Sequence, residues 1–136
     1  MELTNAIRAS SAGMKVQGMR LRVVAQNIAN ADSVAHNPDG TPYRRQVISF
    51  KNELDRKNDV TVVKVDKVTR DQSDFQLRYD PGHPYANQDG YVRMPNVNSL
   101  IEMMDMREAQ RSYEANINMV ESARSMLQRT VDLLRA

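Results

Sequence analysis

The chain has 136 residues, about one domain of protein, and 40% of them are hydrophobic, with two Phe, five Tyr and no Trp. This is thin material for a core, so the composition favours an elongated or partner-dependent fold. The net charge of +2 is too small to drive strong binding to nucleic acid or anionic lipid, and the lack of cysteine excludes disulfides, thiolate nucleophiles and Cys-ligated zinc.

The N-terminal region, residues 1–31, predicts a long amphipathic helix. Apolar residues recur at every seventh position, which is typical of a helix that packs against another helix. These positions are Ile7, Met14, Leu21 and Ile28, with Leu3 and Val24 at companion positions. Arg8, Lys15 and Arg22 repeat at the same spacing. These basic residues are most simply interpreted as a solvent-exposed face of the helix. The alternative is that they contact an acidic surface on a neighbouring chain.

The same region does not predict a cleaved leader. Glu2 lies where a signal peptide needs positive charge, and no continuous apolar run of about 7 to 15 residues follows it. No stretch of the chain approaches the roughly 18 apolar residues of a membrane span.

The middle of the chain, residues 32–97, predicts loops and a small antiparallel β segment. It contains all five prolines, and Pro38-Asp39-Gly40 is a turn signal. Strands are predicted over Tyr43 to Phe50, over Asp59 to Thr69, and where Phe75, Leu77 and Tyr79 alternate with polar residues. Residues 80–98 predict an extended segment with turns. Together these can form a sheet of about two to four short strands, which needs cover from a helix or a neighbour.

The C-terminal region, residues 98–136, predicts a second and longer helix. It has no Gly or Pro from Asn98 to Leu134, which allows about 55 Å of helix. Asn98 or Ser99 can cap its start, with Glu102 completing an S-x-x-E capping box. Its seven-residue seam consists of Met106, Tyr113, Val120, Leu127 and Leu134, and Ile117 widens the apolar stripe.

The predicted fold class is mostly α with a small β insert, in which the two terminal helices pair as a coiled-coil-like hairpin. The seams carry polar residues, and a two-helix pairing would leave apolar shoulder residues uncovered: Val16, Val23, Met103, Met119 and Met126. A pair of helices alone is marginal, so we expect other copies or other chains to complete the core. An ordinary helical bundle with some polar core residues is the alternative.

The search for chemistry gives little. His36 and His83 lie in separate Pro- and Gly-rich loops without metal-ligand spacing, so both are interpreted as surface histidines. Both Asp-Gly pairs lack the calcium-loop pattern, and no phosphate-binding or nucleophile motif is present. Glu102 and Asp105 are interpreted as solvent-facing salt-bridge partners. We therefore expect no enzyme activity, no cofactor and no metal.

Three ordered blocks of sequence carry a family resemblance. The run VVAQNIANADSV (23–34) resembles the asparagine-rich signature of the bacterial flagellar axial proteins, the rod, hook and hook-associated family. Ser33 takes the place of the usual Thr, and the longer insert AHNPDGTP before Tyr43 is similar to that of a proximal-rod member. The blocks at 78–98 and 108–126 also resemble the family. The matching positions are Asn27, Ile28, Ala29, Asn30, Tyr43, Asp80, Pro81, Gly82, Gly90, Tyr91, Pro95, Asn96, Arg111, Tyr113 and Asn116.

The resemblance implies a structural subunit of the proximal rod of the flagellar basal body. Such a subunit assembles through its terminal helices into a hollow drive shaft that transmits torque and surrounds the export channel. It implies export without a cleaved leader through the flagellar type III apparatus and a final position in the periplasm. The implied partners are other copies, rod proteins of the FlgB, FliE and FlgF types and the membrane ring, with no nucleic acid and no small-molecule substrate. A soluble helical adaptor or export chaperone is the alternative.

Subunit contacts are expected on the apolar positions of the two helices. These are Leu3, Ile7, Met14, Leu21, Val24, Ile28, Met106, Tyr113, Ile117, Val120, Leu127 and Leu134. Asn27 and Asn30 are expected to end the first helix and redirect the chain by bonding local backbone groups. Whether they also contact another subunit stays open. Because the core is thin, the helix ends of an isolated monomer are expected to be poorly ordered.

Overall fold

The computed structural model of the chain describes residues 2–37 and 40–136. Helix α1 covers Glu2–Ala29 and helix α2 covers Ser99–Arg135. Between them lie the strands β1 (Gln46–Asp55), β2 (Val60–Arg70), β3 (Gln76–Tyr79) and β4 (Tyr91–Met94). The predicted fold class, two long terminal helices around a small antiparallel β segment, is therefore confirmed. No helix in these ranges combines the length and apolar character that a membrane span requires.

The chain divides into two compact units. Unit 1 consists of Met1–Leu21, Ile48–Lys67 and Arg107–Ala136, and unit 2 consists of Arg22–Val47 and Val68–Met106. Both helices and the β1–β2 hairpin contribute to both units.

In unit 1 the two helices lie side by side and antiparallel. Arg20 Nη2 is 3.1 Å from Glu108 Oε2, and Gly13 lies so close to α2 that an added Cβ would be 2.9 Å from the Asn116 amide. The residue numbers at both contacts add to nearly the same total, as an antiparallel pair requires. Four further residues of unit 1 are buried: Ser10 and Val16 on α1, and Ala109 and Ala123 on α2. Val16 had been predicted to lie uncovered, and this was wrong, as it was for the buried Val23 of unit 2.

The in-chain cover of α2 ends before the helix does. Ala123 is 2% exposed, whereas every residue from Arg124 to Ala136 is exposed. The antiparallel register of the two helices places Ala123 near residue 6, in the second turn of α1. The apolar seam of α2 thus continues through Leu127, Val131 and Leu134 in a stretch where every residue is exposed.

Strands β1 and β2 form a two-stranded sheet joined by a four-residue turn, which permits only antiparallel pairing. Lys51 with Asp66 and Lys64 with Glu53 form cross-strand ion pairs. At the turn, the Asp55 carboxylate accepts hydrogen bonds from the Asn58 side chain and the Lys57 N–H. The Asn58 hydrogen bond is the main cause of a lowered pKa for Asp55.

Strands β3 and β4 form a second antiparallel sheet within unit 2, with Tyr79 opposite Tyr91 and Arg78 opposite Val92. Val92 and Met94 point to the core, where Val23, Val24 and Val97 are also buried. Tyr79 and Tyr91 make an edge-to-face contact on the exposed side, with ring centroids 5.2 Å apart.

Several predicted boundaries need correction. Strand β1 begins at Gln46 and continues to Asp55, and β4 arises where only an extended segment with turns was predicted. The cap of α2 is Asn98, whose Oδ1 accepts hydrogen bonds from the N–H groups of Leu100 and Ile101. The predicted turn at Pro38-Asp39-Gly40 includes two residues outside the described ranges.

Candidate functional site

The best-defined polar cluster of the chain is centred on Asn27, in the last turn of α1. Its side chain is 1% exposed, and its amide uses all of its hydrogen-bonding capacity. Nδ2 donates to Gln46 O at 2.9 Å and to Glu102 Oε2 at 3.2 Å, while Oδ1 accepts from Gln46 N at 2.9 Å and from the Tyr43 hydroxyl at 2.8 Å. One side chain thus joins the end of α1 to the start of β1 and to the first turn of α2.

A buried ion pair completes the connection to α2. The Glu102 carboxylate, with 0% exposure, accepts a hydrogen bond from Arg45 Nε, and Arg45 also lies 3.5 Å from Asp105 and 3.7 Å from Asp71. Burial lowers the pKa of Arg45, but the hydrogen bond and charge of Glu102 outweigh it, so the pKa is raised overall. Burial, and then the negative charge of Glu102, raise the pKa of Tyr43.

Asn96 connects the same cluster to the segment after β2. Its Oδ1 accepts from Arg45 N at 2.7 Å, and its Nδ2 lies within hydrogen-bond distance of Asp71 O, Ser73 O and Ser73 Oγ. The Asp71 carboxylate accepts from Ser73 N at 2.9 Å. Hydrogen bonds from Ser73, followed by the charge of Arg45, lower the pKa of Asp71. We call the set Asn27, Tyr43, Arg45, Asp71, Asn96 and Glu102 the polar junction.

The polar junction contains three of the family-motif positions and three residues that sequence reasoning did not assign to a site. Asn27, Tyr43 and Asn96 are far apart in the sequence and meet here. Glu102 was predicted to be a solvent-facing salt-bridge partner or to complete a capping box. It does form a salt bridge, with Arg45, but the predicted solvent exposure and the capping box are wrong, because its carboxylate is buried against Asn27 and Arg45. For Arg45, the sequence signal was its position two residues after the motif residue Tyr43.

Asn30 behaves as expected at the end of α1. Its Nδ2 donates to Gln26 O at 2.8 Å, and its Oδ1 accepts from Ser33 Oγ at 3.3 Å. These bonds close the last turn of the helix, after which the chain leaves it. Ile28 is half-buried and Ala29 is exposed. Asn30 thus holds local backbone, whereas Asn27 holds distant parts of unit 2.

The second motif block forms a compact connection between β3 and β4. Gly90 is buried with φ of 83°, and a Cβ there would meet the Tyr79 ring at 3.0 Å and Pro81 at 3.1 Å, so only glycine fits. Asn87 Oδ1 accepts hydrogen bonds from the N–H groups of Asp89 and Tyr91. Gly90 O accepts from Asp80 N at 2.9 Å. The other positions of the block lie as follows: Pro81 and Gly82 are exposed, and Pro95 is buried.

The remaining motif positions lie on α2 within unit 1. Asn116 Nδ2 donates to Ser112 O at 2.8 Å, which fixes the amide against Gly13. Tyr113 is half-buried, 4.0 Å from the Cβ position of Gly18, and Arg111 is exposed. This block therefore shapes the close helix contact of unit 1.

The expected subunit-contact residues differ in how far the chain itself covers them. Val24 is buried in unit 2, and Leu127 and Leu134 are 42% and 81% exposed in unit 1. The others are half-buried: Leu3, Ile7, Met14, Leu21, Ile28, Met106, Tyr113, Ile117 and Val120. Among the predicted shoulder residues, Met103, Met119 and Met126 are exposed.

The two histidines, although far apart in sequence, both contact Tyr85. Ring centroids lie 5.9 Å apart for His36 and 5.7 Å apart for His83, and His83 Nδ1 accepts from Tyr85 N. Over residues 2–37 and 40–136, no group of three or more His, Asp or Glu side chains is arranged to hold a metal ion. The three rings are interpreted as a packing contact between two loops.

The residues of the polar junction hold secondary-structure elements together. Its groups are saturated by one another and they hold α1, β1 and α2 of unit 2 in one arrangement. A buried, fully satisfied network of this kind specifies a unique geometry more than it adds stability.

Comparison with known proteins points to one family. A family model described as the C-terminal part of the flagellar basal body rod FlgEFG proteins matches residues 88–133. The chain is 48% identical to the flagellar basal-body rod protein FlgC of Agrobacterium fabrum, over 98% of the chain and 96% of that protein. It is 40% identical to FlgC of Salmonella typhimurium, over 98% of each chain. It is 34% identical to FlgC of Bacillus subtilis, over 98% of the chain and 99% of that protein.

Proposed function

The chain belongs to the FlgC family of flagellar basal-body rod proteins, and from this premise we propose that its terminal helices pack against those of neighbouring subunits to build the proximal rod. Membership of the family makes it a structural, non-enzymatic subunit of the basal-body rod. Nothing in the comparisons favours an adaptor or an export chaperone.

The observation that supports packing between subunits is the uncovered end of α2. An apolar stripe continues through Leu127, Val131 and Leu134 after in-chain cover has stopped at Ala123. Leaving such a stripe in water forgoes about 25 cal/mol for each Å² of apolar surface that a neighbour could bury. The half-buried residues of both helices, such as Ile7 and Val120, offer further apolar surface to a neighbour.

In the proposed rod, the packed helices form the wall of a hollow shaft that surrounds the export channel and transmits torque. The polar junction holds the ends of both helices and the start of β1 in a fixed geometry. A rigid connection suits a shaft, because subunits that bend would let the shaft twist under load before it turns as one body. The neighbours in this proposal are further copies, rod proteins of the FlgB, FliE and FlgF types and the membrane ring.

The proposed route to this position is export through the flagellar type III apparatus without a cleaved leader, into the periplasm. The absence of cysteine suits this route, because an unfolded chain that reaches an oxidising space has no thiol to mispair. Detection of the intact N-terminus of the chain in purified basal bodies would support it, and a shortened N-terminus would contradict it.

A charge on the uncovered stripe tests helix packing between subunits. Leu127→Asp is expected to remove the chain from isolated basal bodies and abolish motility, because an unpaired charge in an apolar contact is costly. Ser125→Asp is the matched control, since position 125 is exposed and lies on the opposite side of α2.

Both variants should keep the helix content and melting temperature of the parent monomer, because both side chains are exposed in it. Normal incorporation of Leu127→Asp would contradict the proposed packing. Equal loss with Ser125→Asp would show that charge anywhere on this part of α2 is harmful, and would contradict a specific stripe.

A further inference from the structure

In unit 1, the side of α1 that points away from α2 carries two exposed basic residues. Arg8 and Lys15 are seven positions apart, so they lie on one side of the helix, about 10 Å apart along its axis. Gly13 faces Asn116 of α2. Lys15 follows Gly13 by two residues and Arg8 precedes it by five, and at about 100° per residue both offsets turn the side chain away from α2. We call Arg8 and Lys15 the basic pair.

The side of α2 that points away from α1 carries two exposed acidic residues in the same arrangement. Glu114 precedes Asn116 by two residues and Glu121 follows it by five, so both point away from α1. Because the two helices are antiparallel, Glu114 lies at the height of Lys15. For the same reason, Glu121 lies at the height of Arg8. We call Glu114 and Glu121 the acidic pair.

The charges of the basic and acidic pairs are not neutralised within the described part of the chain. They lie on opposite sides of the two helices, so they cannot reach one another within one copy. Over residues 2–37 and 40–136, no opposite charge lies within 4.0 Å of any of these four side chains. Arg8 acts on Asp55, at the turn of the β1–β2 hairpin, from a greater distance. By contrast, Arg20 and Glu108 pair within the copy.

The direction and height of the two pairs suit a contact between neighbouring copies. The basic pair and the acidic pair point in opposite directions and lie at the same two heights. A second copy in the same orientation, placed beside the first without an axial shift, therefore brings its acidic pair against the basic pair of the first. Charged residues at a seven-residue spacing set the partner and the orientation of adjacent helices in coiled coils.

We propose that the basic pair of one copy docks against the acidic pair of a second copy of this chain that lies beside it. Lys15 then lies opposite Glu114 of the second copy. Arg8 lies opposite Glu121 of that copy. Two different surfaces meet in this contact, so it can repeat from copy to copy around an axis. This inference rests on the proposed function, since it names a lateral contact between copies within the rod.

The sequence on either side of the acidic pair favours this register. If the second copy moved by seven residues in one direction, Lys15 would lie opposite Arg107, which has the same charge. If it moved by seven residues in the other direction, Arg8 would lie opposite Gln128 and lose its pair. Arg22, which continues the basic repeat of α1, belongs to unit 2 and is not part of the contact.

A carbodiimide tests the contact directly, because it joins an amine to a carboxylate in contact with it and leaves no spacer. Isolated basal bodies would be treated with the reagent and digested, and the linked peptides would be identified by mass spectrometry. The expected product joins Lys15 to Glu114. It must come from two copies, because these side chains point in opposite directions within one copy. The same treatment of the dilute monomer should not give it.

Two conservative variants are the controls for this crosslink. Lys15→Arg keeps the charge but removes the amine, so the chain should assemble as the parent does and the product should be lost. Arg8→Lys adds an amine at the second position of the basic pair, and it should give a new product with Glu121. Both side chains are exposed in the single copy, so both variants should fold.

Charge reversal tests whether the contact matters for assembly. Lys15→Glu should lower the amount of the chain in basal bodies by about tenfold or more, because it places like charges opposite each other. Adding Glu114→Lys to the same chain should restore assembly. Adding Glu121→Lys instead should not restore it, although both second changes alter the charge equally.

Three results would overturn the inference. Basal bodies that contain the chain but give no Lys15 product between copies would exclude the contact, and a product with Glu121 instead of Glu114 would exclude the register. A Lys15 product with a different rod protein, and none with a second copy, would assign the basic pair another partner. Absence of the parent chain from basal bodies would instead contradict the proposed function, so the two failures are distinguishable.

Discussion

At the scale of single residues, Asn27 and Glu102 show that side chains far apart in the sequence hold the end of α1 against the start of α2. Asn27 is a helical residue whose amide bonds backbone and side chains far along the chain, and its nearest acidic partner lies 75 positions away. Such a partner cannot be inferred from local spacing. Glu102 was therefore assigned to the nearest plausible role, a capping box, although Arg45 and Asn27 hold it in the interior.

Glu102→Gln tests how much the buried ion pair matters. The amide has the same shape but cannot balance the charge of Arg45, whose other ion-pair partners among the described residues are Asp71 and Asp105. The free energy of unfolding is expected to fall by about 2–3 kcal/mol, as for the loss of a hydrogen bond to a charged group. Urea denaturation of the purified chain at neutral pH measures it.

Glu108→Gln is the control, because Glu108 also pairs with an arginine, Arg20, but is 67% exposed at its side chain. Its expected cost is below about 1 kcal/mol, as for exposed ion pairs. Equal losses for the two variants would contradict the assigned importance of burial.

Asp71 makes the stability of unit 2 depend on pH. Hydrogen bonds from Ser73, with help from Arg45, hold the pKa of Asp71 below its ordinary value of 3.8. A carboxylate whose folded pKa is depressed stabilises the fold above its unfolded pKa, and this contribution disappears as the pH falls through the folded pKa. The stability difference between the parent chain and Asp71→Asn should thus be full at neutral pH and shrink below pH 3.8. Urea titrations at several pH values would reveal it, and a pH-independent difference would contradict it.

At the scale of elements, the apolar periodicity was sufficient to predict where the two helices lie in the sequence. It was not sufficient to predict which residues pack between them. The heptad pattern predicted both helices to within a residue or two, because long Pro-free amphipathic runs have few alternatives. The close contact of the helices, however, is at Gly13, and the buried positions of unit 1 include Ser10 and Ala123, small residues that the predicted seams do not contain as apolar positions. Strand β4 was missed because Gly90 and Pro95 flank it closely and its exposed positions hold Tyr91 and Arg93.

Gly13 and Gly18 allow the helix contact to be tested at a close and at an open position of α1. At Gly13 a Cβ would lie 2.9 Å from the Asn116 amide, which is tied to Ser112 O, so Gly13→Val should destabilise by about 1–3 kcal/mol through overpacking. At Gly18 the nearest neighbour, Tyr113, is 4.0 Å away. Gly18→Ala should therefore stabilise α1 by about 0.5–1 kcal/mol, the usual gain of alanine over glycine inside a helix.

Thermal unfolding followed by circular dichroism measures both glycine variants under the same conditions. Opposite signs of the two shifts in Tm are expected. Two shifts of the same sign and size would mean that α1 and α2 are not in close contact at Gly13.

At the scale of the whole molecule, the chain has few aromatic residues, and its apolar side chains are well buried in some places and exposed in others. Unit 2 encloses valines and a saturated polar network, whereas α2 continues past the last in-chain cover. The sequence indicated that the chain depends on partners, since the seams contain too few apolar residues for two helices. It could not indicate where the cover ends, because that depends on the relative register of α1 and α2.

Hydrogen exchange should therefore vary along α2 in the dilute monomer. Residues 124–135 include no buried side chain to slow local opening, so their amides are expected to exchange at rates close to those of an unfolded peptide. Amides near Glu102, beside the polar junction, should open only with unit 2 and exchange far more slowly. In isolated basal bodies the two segments should be similarly protected, because a neighbour then covers Leu127, Val131 and Leu134. Strong protection of residues 124–135 in the dilute monomer would mean that this end of α2 is ordered without a partner, and the case for packing between subunits would lose its main support.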